Sequence, residues 1–599
     1  MPKNKNVKIE YTARDFDKIK KELVDFAQRY YPDNYRDFST PSFGSMLLDT
    51  VSYVGDVLSY YLDYSVNESF LDTSIEFDNI RRHARSLGYN FSGVPSSYGI
   101  ITMYVIVPSN ADGTAPDMSY SPIVRRGTSF TSNNGGNFIL TEDVDFSDPN
   151  NDVVAARFDP DSGQTTFFAI RGYGQIQSGL IQVAKADLRN EGYVKFRKVR
   201  VGPSTITEIL RVVDSDGNTY YEVDNLSQET IFVETTNKNA AADGVRSILK
   251  PFAASRRFTV ERDDIGTYLQ FGFGVQNEDT DGIVEPSKVA LKMHGKNYIS
   301  KTAFDPSKLI QTNKLGIAPA NTILRISYRT NTQDTNNTGA KTITNVNNRF
   351  VDFKEPLVLI KSKAQSVIDS LEVINEDALF TVNNDQTLEE LKQRAKSFYA
   401  TQNRAVTKQD YESFVYNMPK KFGAIKRANV VNSPFNPERK IHLYVIGEDN
   451  NNNLAPANIM IKNNLINWLS KYKNLNDSIE IYDAKVLNFG IDFKVIGDKR
   501  FSTNFTYNAC IQALGDLYSE TFYIGEPLYV SKIFQALNKL ESVTDVLSIN
   551  IFALSNGVYS SSSVNFSELL SIDGSYYKAP KNCVFELRFP KTDIKGSVI

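Results

Sequence analysis

Apolar residues recur at helical spacing through the first ninety positions. Phe16, Ile19, Leu23, Phe26 and Tyr30 fall about one turn apart, which predicts a helix ended by Pro32. Thr12, with an acid three residues on in TARD, is its expected cap. The next segment, PSFGSMLLDTVSYVGDVLSYYLDYSVNESFLDTS, puts Leu47, Val51, Val54, Leu58 and Tyr61 on one stripe, which Tyr53, Tyr60 and Tyr64 widen. A helix apolar over more than half its circumference packs against two neighbours. A third helix is expected to be capped by Asp72 or Thr73, to carry Ile75, Ile80, Ala84 and Leu87, and to end at Gly88. Residues 1–95 thus read as a helical oligomerisation segment, a bundle that a partner chain can share.

From residue 96 to about 380 the pattern shortens to alternating runs such as IITMYVIV, NFILTEDVDF, TTFFAI and RRFTVER, separated by DPDSG, DSDGN and NEDTDG. These predict strands and hairpins in a β-rich middle of two domains. The polar stretch 331–341 is expected to be an exposed loop. Helical spacing returns in TLEELKQRAKSFYATQNRAVTKQDYESFVYNMP, with capping boxes at Thr387/Glu390 and Thr407/Asp410. A strand at 441–446, a helix opened by Pro456, strands at 479–482 and 486–496, helices at 505–518 and 531–540 and a strand at 546–551 follow. Residues 381–551 are therefore expected to form an α+β domain of ferredoxin-like character, and 552–599 a last strand, NCVFELRF, with a polar tail. The fold class is multidomain α+β.

At 599 residues the chain has room for about four domains. Lys+Arg is 67 and Asp+Glu 70, a balance that argues against a dedicated nucleic-acid binder. No run approaches the roughly 20 apolar residues of a membrane span, and the first ten residues do not read as a signal peptide. Cys510 and Cys583 cannot make a disulfide framework, and Cys510 falls at a helical core position. His83, His294 and His442 lie far apart, so no cofactor or metal is expected. His83, in RRHAR, reads as a surface ion-pairing residue. FGFG at 271–274 lacks the lysine and helix of a phosphate loop and reads as close backbone packing. DSDGN places Gly217 fourth where a calcium loop needs sixth, so a hairpin turn is expected. Glu261 and Asp264, in ERDD, suit a solvated turn better than a glycosidase pair. Arg404, between two capped helices, is expected to tie their connection, with an interface role as the alternative. Ile533, Leu537 and Leu540 make one helical stripe. Phe534 beside it either fills the core or extends an outward surface.

Several of these words together resemble one family. RDFSTPSFGSMLLDTVSYVGDVLSYYLDYSVNESFLDTSIEFDNIRRHARSLGY is similar to the amino-terminal part of the baseplate wedge protein of T-even-like contractile phages, the product of their gene six. NESFLDTS (67–74) and LGY (87–89) are its most specific words. SPIVRRGTSF (121–130), QNRAVTKQDYESFV (402–415) and YIGEPLYVSKIFQAL (523–537) with VTDVLSINI (543–551) resemble the wider baseplate J-like family, and the ending NCVFELRFPKTDIKGSVI the gene-six type.

The resemblance implies a structural subunit of the virion tail baseplate, not an enzyme, assembled in the host cytoplasm. Such subunits form the inner ring that joins wedges around the central hub and transmits the contraction signal. It implies self-association as a dimer within the wedge, together with a gene-seven-type wedge protein and other baseplate subunits, and a ring of twelve copies. It implies no nucleic-acid or membrane partner. Leu47, Val51, Val54, Leu58, Phe70 and Leu71 would then belong to the shared bundle and its linker, and Arg404 and Phe534 to interfaces. A tail-associated glycan hydrolase and a receptor-binding tail protein are the rival readings. The second would need a fibrous repeat, and no fixed period is found.

Overall fold

The computed structural model describes residues 14–31, 42–89, 94–160, 164–236, 247–263, 265–274, 315–332, 336–382, 387–432, 440–449, 453–519, 521–561 and 564–599. The expectations for Thr12, Pro32, Asp264 and His294 lie outside these residues. The chain divides into two compact units, residues 1–90 with 386–399, and residues 91–385 with 400–599.

In the first unit, α1 (Phe16–Tyr30), α2 (Phe43–Glu68) and α3 (Phe77–Ser86) follow the predicted spacing. Ser42 caps α2 by accepting the Ser45 N–H at 3.1 Å. The cap expected of Asp72 or Thr73 on α3 is not there. Glu76 occupies the cap position without a side-chain bond to the helix amides, its carboxylate accepting the Tyr64 hydroxyl at 3.0 Å instead, and Ile75 lies outside the helix, exposed. The far end of α3 behaves as predicted: Gly88 adopts φ 87°, and Tyr89 N–H reaches the Ala84 carbonyl at 3.0 Å.

The second unit opens with a seven-stranded antiparallel sheet. Its order is Ile343–Asn348, Ser129–Ser132, Asn137–Leu140, Thr165–Ser178, Tyr98–Pro108 and Glu372–Ile374, with Asp152–Phe158 also on Thr165–Ser178. Ile101, Met103, Phe130, Phe138 and Ile170 are among its core residues. A second, barrel-like set of seven strands runs from Leu180–Asp187 through Ile323–Thr330, Ile206–Val213, Thr219–Glu222, Arg257–Arg262 and Thr267–Phe271 to Lys198–Gly202. It has its own core around Val212, Phe258, Leu269 and Leu324. The barrel strands lie between Ser178 and Ile343 in sequence, so the chain leaves the first sheet and returns to it. A short helix, Lys361–Asp369, interrupts the predicted strands.

Residues 331–341 differ from the expected exposed loop. Asn331, Asn336, Asn337 and Thr338 are all buried. Asn331 Nδ2 donates to Ser96 Oγ and to Thr207 Oγ1, each at 2.9 Å, and Asn336 Nδ2 to the Pro95 carbonyl at 2.7 Å. Asn337 exchanges bonds with Thr381, receiving its N–H at 2.7 Å and donating to its carbonyl at 3.1 Å. These buried asparagines are tolerated inside because their amide Nδ2 groups find partners there. Buried Arg329 joins the same junction, donating Nε to Glu208 at 2.8 Å.

FGFG is a close approach of two backbones. Phe196 N–H donates to the Gly272 carbonyl, and Gly274 bridges to Ile317. A Cβ on Gly272 would fall inside van der Waals distance of the Leu315 and Gly316 carbonyl oxygens. Gly272→Ala should therefore destabilise the barrel by about 1–3 kcal/mol, since rigid backbone must move to admit the methyl. A urea unfolding midpoint that does not fall would contradict this.

The C-terminal part holds two further sheets. Lys440–Glu448 pairs antiparallel with Arg427–Asn432 and parallel with Ser478–Asp483. The helix Ile459–Leu469 precedes that last strand; it is capped by Asn458, not opened by Pro456. The long strand Lys485–Gly497 pairs antiparallel with Val543–Leu554 and parallel with both Cys583–Glu586 and Ile594–Val598. Residues 552–599 thus do not stand apart as strand and tail, because Cys583–Glu586 and Ile594–Val598 both belong to this sheet. The helices Thr503–Leu517 and Val530–Asn538 put Cys510, Leu514, Ile533 and Leu537 into its core.

Candidate subunit interface

Two sides of α2 have opposite character. Gly55 lies against Ile19 of α1, where an added Cβ would come within 3.2 Å of Ile19 Cδ1. Asp49 pairs with Lys20 at 2.5 Å and Asp63 with Arg14 at 2.6 Å. At about 100° per residue, the buried Ser45 and Ser52 lie on this same side. So α2 meets α1 through small and acidic residues. Its apolar stripe lies on the opposite side: Leu47, Val51, Val54, Leu58 and Tyr61 are all exposed, Val54 by 49% and Leu58 by 61%. Met46, Tyr53, Tyr60, Leu62 and Val66 are exposed as well. Contiguous exposed apolar surface of this extent is a common property of interaction sites.

The segment after α2 is tightly organised. Glu68 is buried, and its Oε1 accepts the Ile75 N–H at 2.8 Å and the Glu76 N–H at 3.3 Å, while Oε2 accepts from Asn79 Nδ2 at 2.9 Å. It thereby ties the two amides that lead into α3, and the Asn79 side chain within its first turn, to the end of α2. Thr73 Oγ1 donates to the Asn67 carbonyl at 2.6 Å and Ser74 N–H to the Phe70 carbonyl at 2.9 Å. Asp72 gives its carbonyl to Lys392 at 3.1 Å and its carboxylate to Lys396. His83 is not the expected surface ion-pair residue: its Nε2 bonds to the Glu68 carbonyl oxygen at 2.9 Å. The word NESFLDTS therefore encodes a folded turn that leaves Phe70 exposed and Leu71 half-buried.

The bond from Asn79, then that from Ile75, holds the Glu68 carboxyl below the usual range. A depressed folded value means its contribution is present above the unfolded value, about 4.3, and is lost as pH falls through the folded one. Amide hydrogen exchange of peptides spanning α3 should show Glu68→Gln loosening the helix at neutral pH. The gap from wild type should close as pH falls below about 4.3. A gap independent of pH would sink this account of Glu68.

The other sequence-derived positions are scattered. Arg404 does not tie its connection: its side chain is exposed and makes no hydrogen bond or ion pair among the described residues. Backbone does that work, through Ala405 N–H to the Tyr472 carbonyl at 2.9 Å and positive φ at Gln402 and Asn403. The following capping box, Thr407 with Asp410, is formed in both directions. Phe534 is half-buried and packs against the core with Ile533 and Leu537, so it reports on folding as well as surface. Asp214 accepts the Asp216 and Asn218 N–H groups, a hairpin turn. Glu261 pairs with Lys198 at 2.5 Å, and Asp263 caps its own turn. Burial pushes the Cys510 thiol up to about 11, as suits a core residue. Among the described residues no group of three or more His, Cys, Asp or Glu could hold a metal ion, and no helix is long and apolar enough to cross a membrane.

Residues 15–86 match the family of the bacteriophage baseplate protein, N-terminal domain. The match runs from the cap of α1 to the end of α3, so the helices with the exposed stripe are those similar to a baseplate domain, and a structural baseplate role is what it supports. No curated protein matches the chain. Among solved structures, a chain of the anti-feeding prophage baseplate, determined by cryo-EM with six-fold symmetrisation, is 9% identical with a TM-score of 0.27, covering 95% of this chain and 90% of that one. A chain of the type VI secretion TssK–TssF–TssG baseplate subcomplex is 9% identical with a TM-score of 0.28, covering 74% of this chain and 96% of that one.

Proposed function

We propose that the chain is a structural subunit of the baseplate wedge of a contractile phage tail, in the inner ring that joins wedges around the hub and passes on the contraction signal. The observation that carries this is the outward apolar stripe of α2, inside the span that matches the baseplate N-terminal domain. On this reading Leu47, Val51, Val54 and Leu58, with Phe70 beyond them, meet the same helix of a second copy and a gene-seven-type wedge protein. The C-terminal part, of ferredoxin-like character, supplies a second self-association surface. That requirement is geometric: one isologous patch stops at a dimer, and a ring of twelve needs another. Assembly takes place in the host cytoplasm and the product resides in the virion tail. An exposed apolar face and an inert buried thiol suit a structural role better than turnover.

Disrupting the gene in the producing phage tests the reading. Virions without the chain should lack baseplates and be restored by the gene supplied in trans. Intact baseplates in its absence would overturn it. Loss of host binding with baseplates intact would favour the receptor-binding rival, and clearing of a peptidoglycan suspension by the purified chain would favour the hydrolase.

A further inference from the structure

Two surfaces of the second unit are apolar, exposed and opposite in unpaired charge. The first is the tip at residues 355–360. Val358 N–H donates to the Glu355 carbonyl at 3.2 Å, closing a β-turn with Pro356 at the position where its fixed φ is favoured. Leu357 is 99% exposed, Val358 76% and Ile360 56%. The tip is nevertheless anchored. Leu359 packs on the core of the first sheet, and Ile360 N–H donates to the Tyr120 hydroxyl at 3.2 Å. Lys361 and Lys363 follow in the first turn of Lys361–Asp369, a turn without an acid. Cations there oppose the helix dipole, and neither makes an ion pair among the described residues. Lys354 is engaged by Asp145 at 3.2 Å, and Glu355 is the one carboxylate of the tip itself.

The second surface is a groove at residues 568–580, of about 560 Å³, lined by Leu569, Leu570, Ile572 and Tyr576. Its hairpin is set by Ser571 N–H to the Tyr576 carbonyl and Gly574 N–H to the Ser571 carbonyl, each at 2.9 Å. Ile572 is wholly exposed. Two carboxylates, Glu568 and Asp573, line the groove against one ammonium, Lys578. Among the described residues Glu568 is held by the neutral amide of Asn565 and by no cation, and bonds from Ser571 and Ser575 keep the Asp573 carboxyl below its usual range.

The geometry points to a head-to-tail contact between copies of this chain, in which the 355–360 tip of one copy seats in the 568–580 groove of the next. The groove falls within the roughly 300–1,000 Å³ that suits a few inserted side chains. Leu357 and Val358 fill its apolar wall, and Lys361 and Lys363 come to Glu568 and Asp573, which also supplies the missing negative charge at the helix start. A second copy fits better than a lipid surface, because Glu355 on the tip and the groove acids would both face an anionic headgroup. Made once per pair, the contact is heterologous and propagates into a ring or an open chain; made twice about a two-fold axis, it closes as a dimer. It does not depend on the baseplate reading, since it needs only two copies. A tip this small makes a weak contact alone, so it is best trapped covalently.

The test mixes full-length Leu357→Cys with full-length Ile572→Cys under mild oxidation. The native Cys510 and Cys583 are buried and stay out of the reaction. A cross-linked pair in the mixture, and in neither variant alone, is the expected result. Adding Lys361→Glu and Lys363→Glu to the first variant should abolish it, and adding Glu568→Lys and Asp573→Lys to the second should bring it back. Leu475→Cys, at another fully exposed leucine, is the control. A yield in the mixture no higher than with this control overturns the contact. Cross-linking of Leu357→Cys with itself overturns the head-to-tail arrangement. The unreversed pair tests the contact even if a charge variant misfolds.

Discussion

Val54→Asp should leave the purified chain folded and soluble yet abolish its assembly with partner helices. Val54 is about half exposed on the side of α2 away from α1, so in the free chain the carboxylate stays in water. Its neighbours one turn away, Val51 and Leu58, are exposed too, and no described packing is lost. In a shared helical core the same carboxylate would be buried among aliphatic side chains with no cation supplied. Burying an unpaired charge costs upwards of about 3 kcal/mol, which weakens assembly by more than about a hundredfold. Circular dichroism of the isolated protein, with sizing of the complex after co-expression with the wedge partner, separates the two effects. Wild-type assembly would remove the interface. Aggregation of the mutant without any partner would show that the stripe serves an internal core instead.

Arg329→Leu should be the most damaging single change in the second unit. Arg329 is buried at the junction between the first sheet and the barrel, and Nε bonds to Glu208 at 2.8 Å while Nη1 reaches the Ser178 carbonyl at 3.4 Å. Leucine restores apolar volume but leaves the largely buried Glu208 carboxylate without its cation. Breaking such a pair on one side costs about 3–5 kcal/mol. Urea unfolding should show a midpoint well below wild type. Adding Glu208→Gln or Glu208→Leu to the same chain should recover much of the loss, because the stranded charge is then gone. An unchanged midpoint in the single variant, or no recovery in the double, would falsify this account of the junction.

The same two regions show what sequence pattern can and cannot reveal. Periodicity located α1 and α2, because every fourth or third position repeats the same chemistry, but not their ends: α1 starts after Asp15, beyond the expected Thr12. It also marked the stripe that the structure leaves exposed. It did not reveal which side of α2 faces α1, since Ser45, Ser52 and Gly55 carry no hydrophobic signal and are used for close approach instead. The start of α3 was misplaced for a different reason. The amides that lead into it are held by Glu68 of the preceding helix, and a tie supplied from there leaves no local signature. Residues 331–341 look like surface because their polarity is local, while the groups that satisfy Asn331, Asn336 and Asn337 come from residues 95–97, 178, 207 and 381. The ending DIKGSV reads as a polar tail, yet Ile594–Val598 pairs with Ile491–Val495, and Gly596 lies against Phe493. A five-residue edge strand of this kind is specified by its long partner and not by its own alternation. At Arg404 the side chain's chemistry suggested a tie that backbone conformation at Gln402 and Asn403 provides.

The central claim is that the apolar side of α2 is covered by another chain in the assembled particle. A density map of a baseplate containing this protein, at a resolution that shows side chains, tests it most directly. The account predicts that Val51, Val54 and Leu58 lie within about 4.5 Å of apolar side chains belonging to a different chain. A map in which that stripe faces solvent, or is covered only by residues of its own chain, would contradict it.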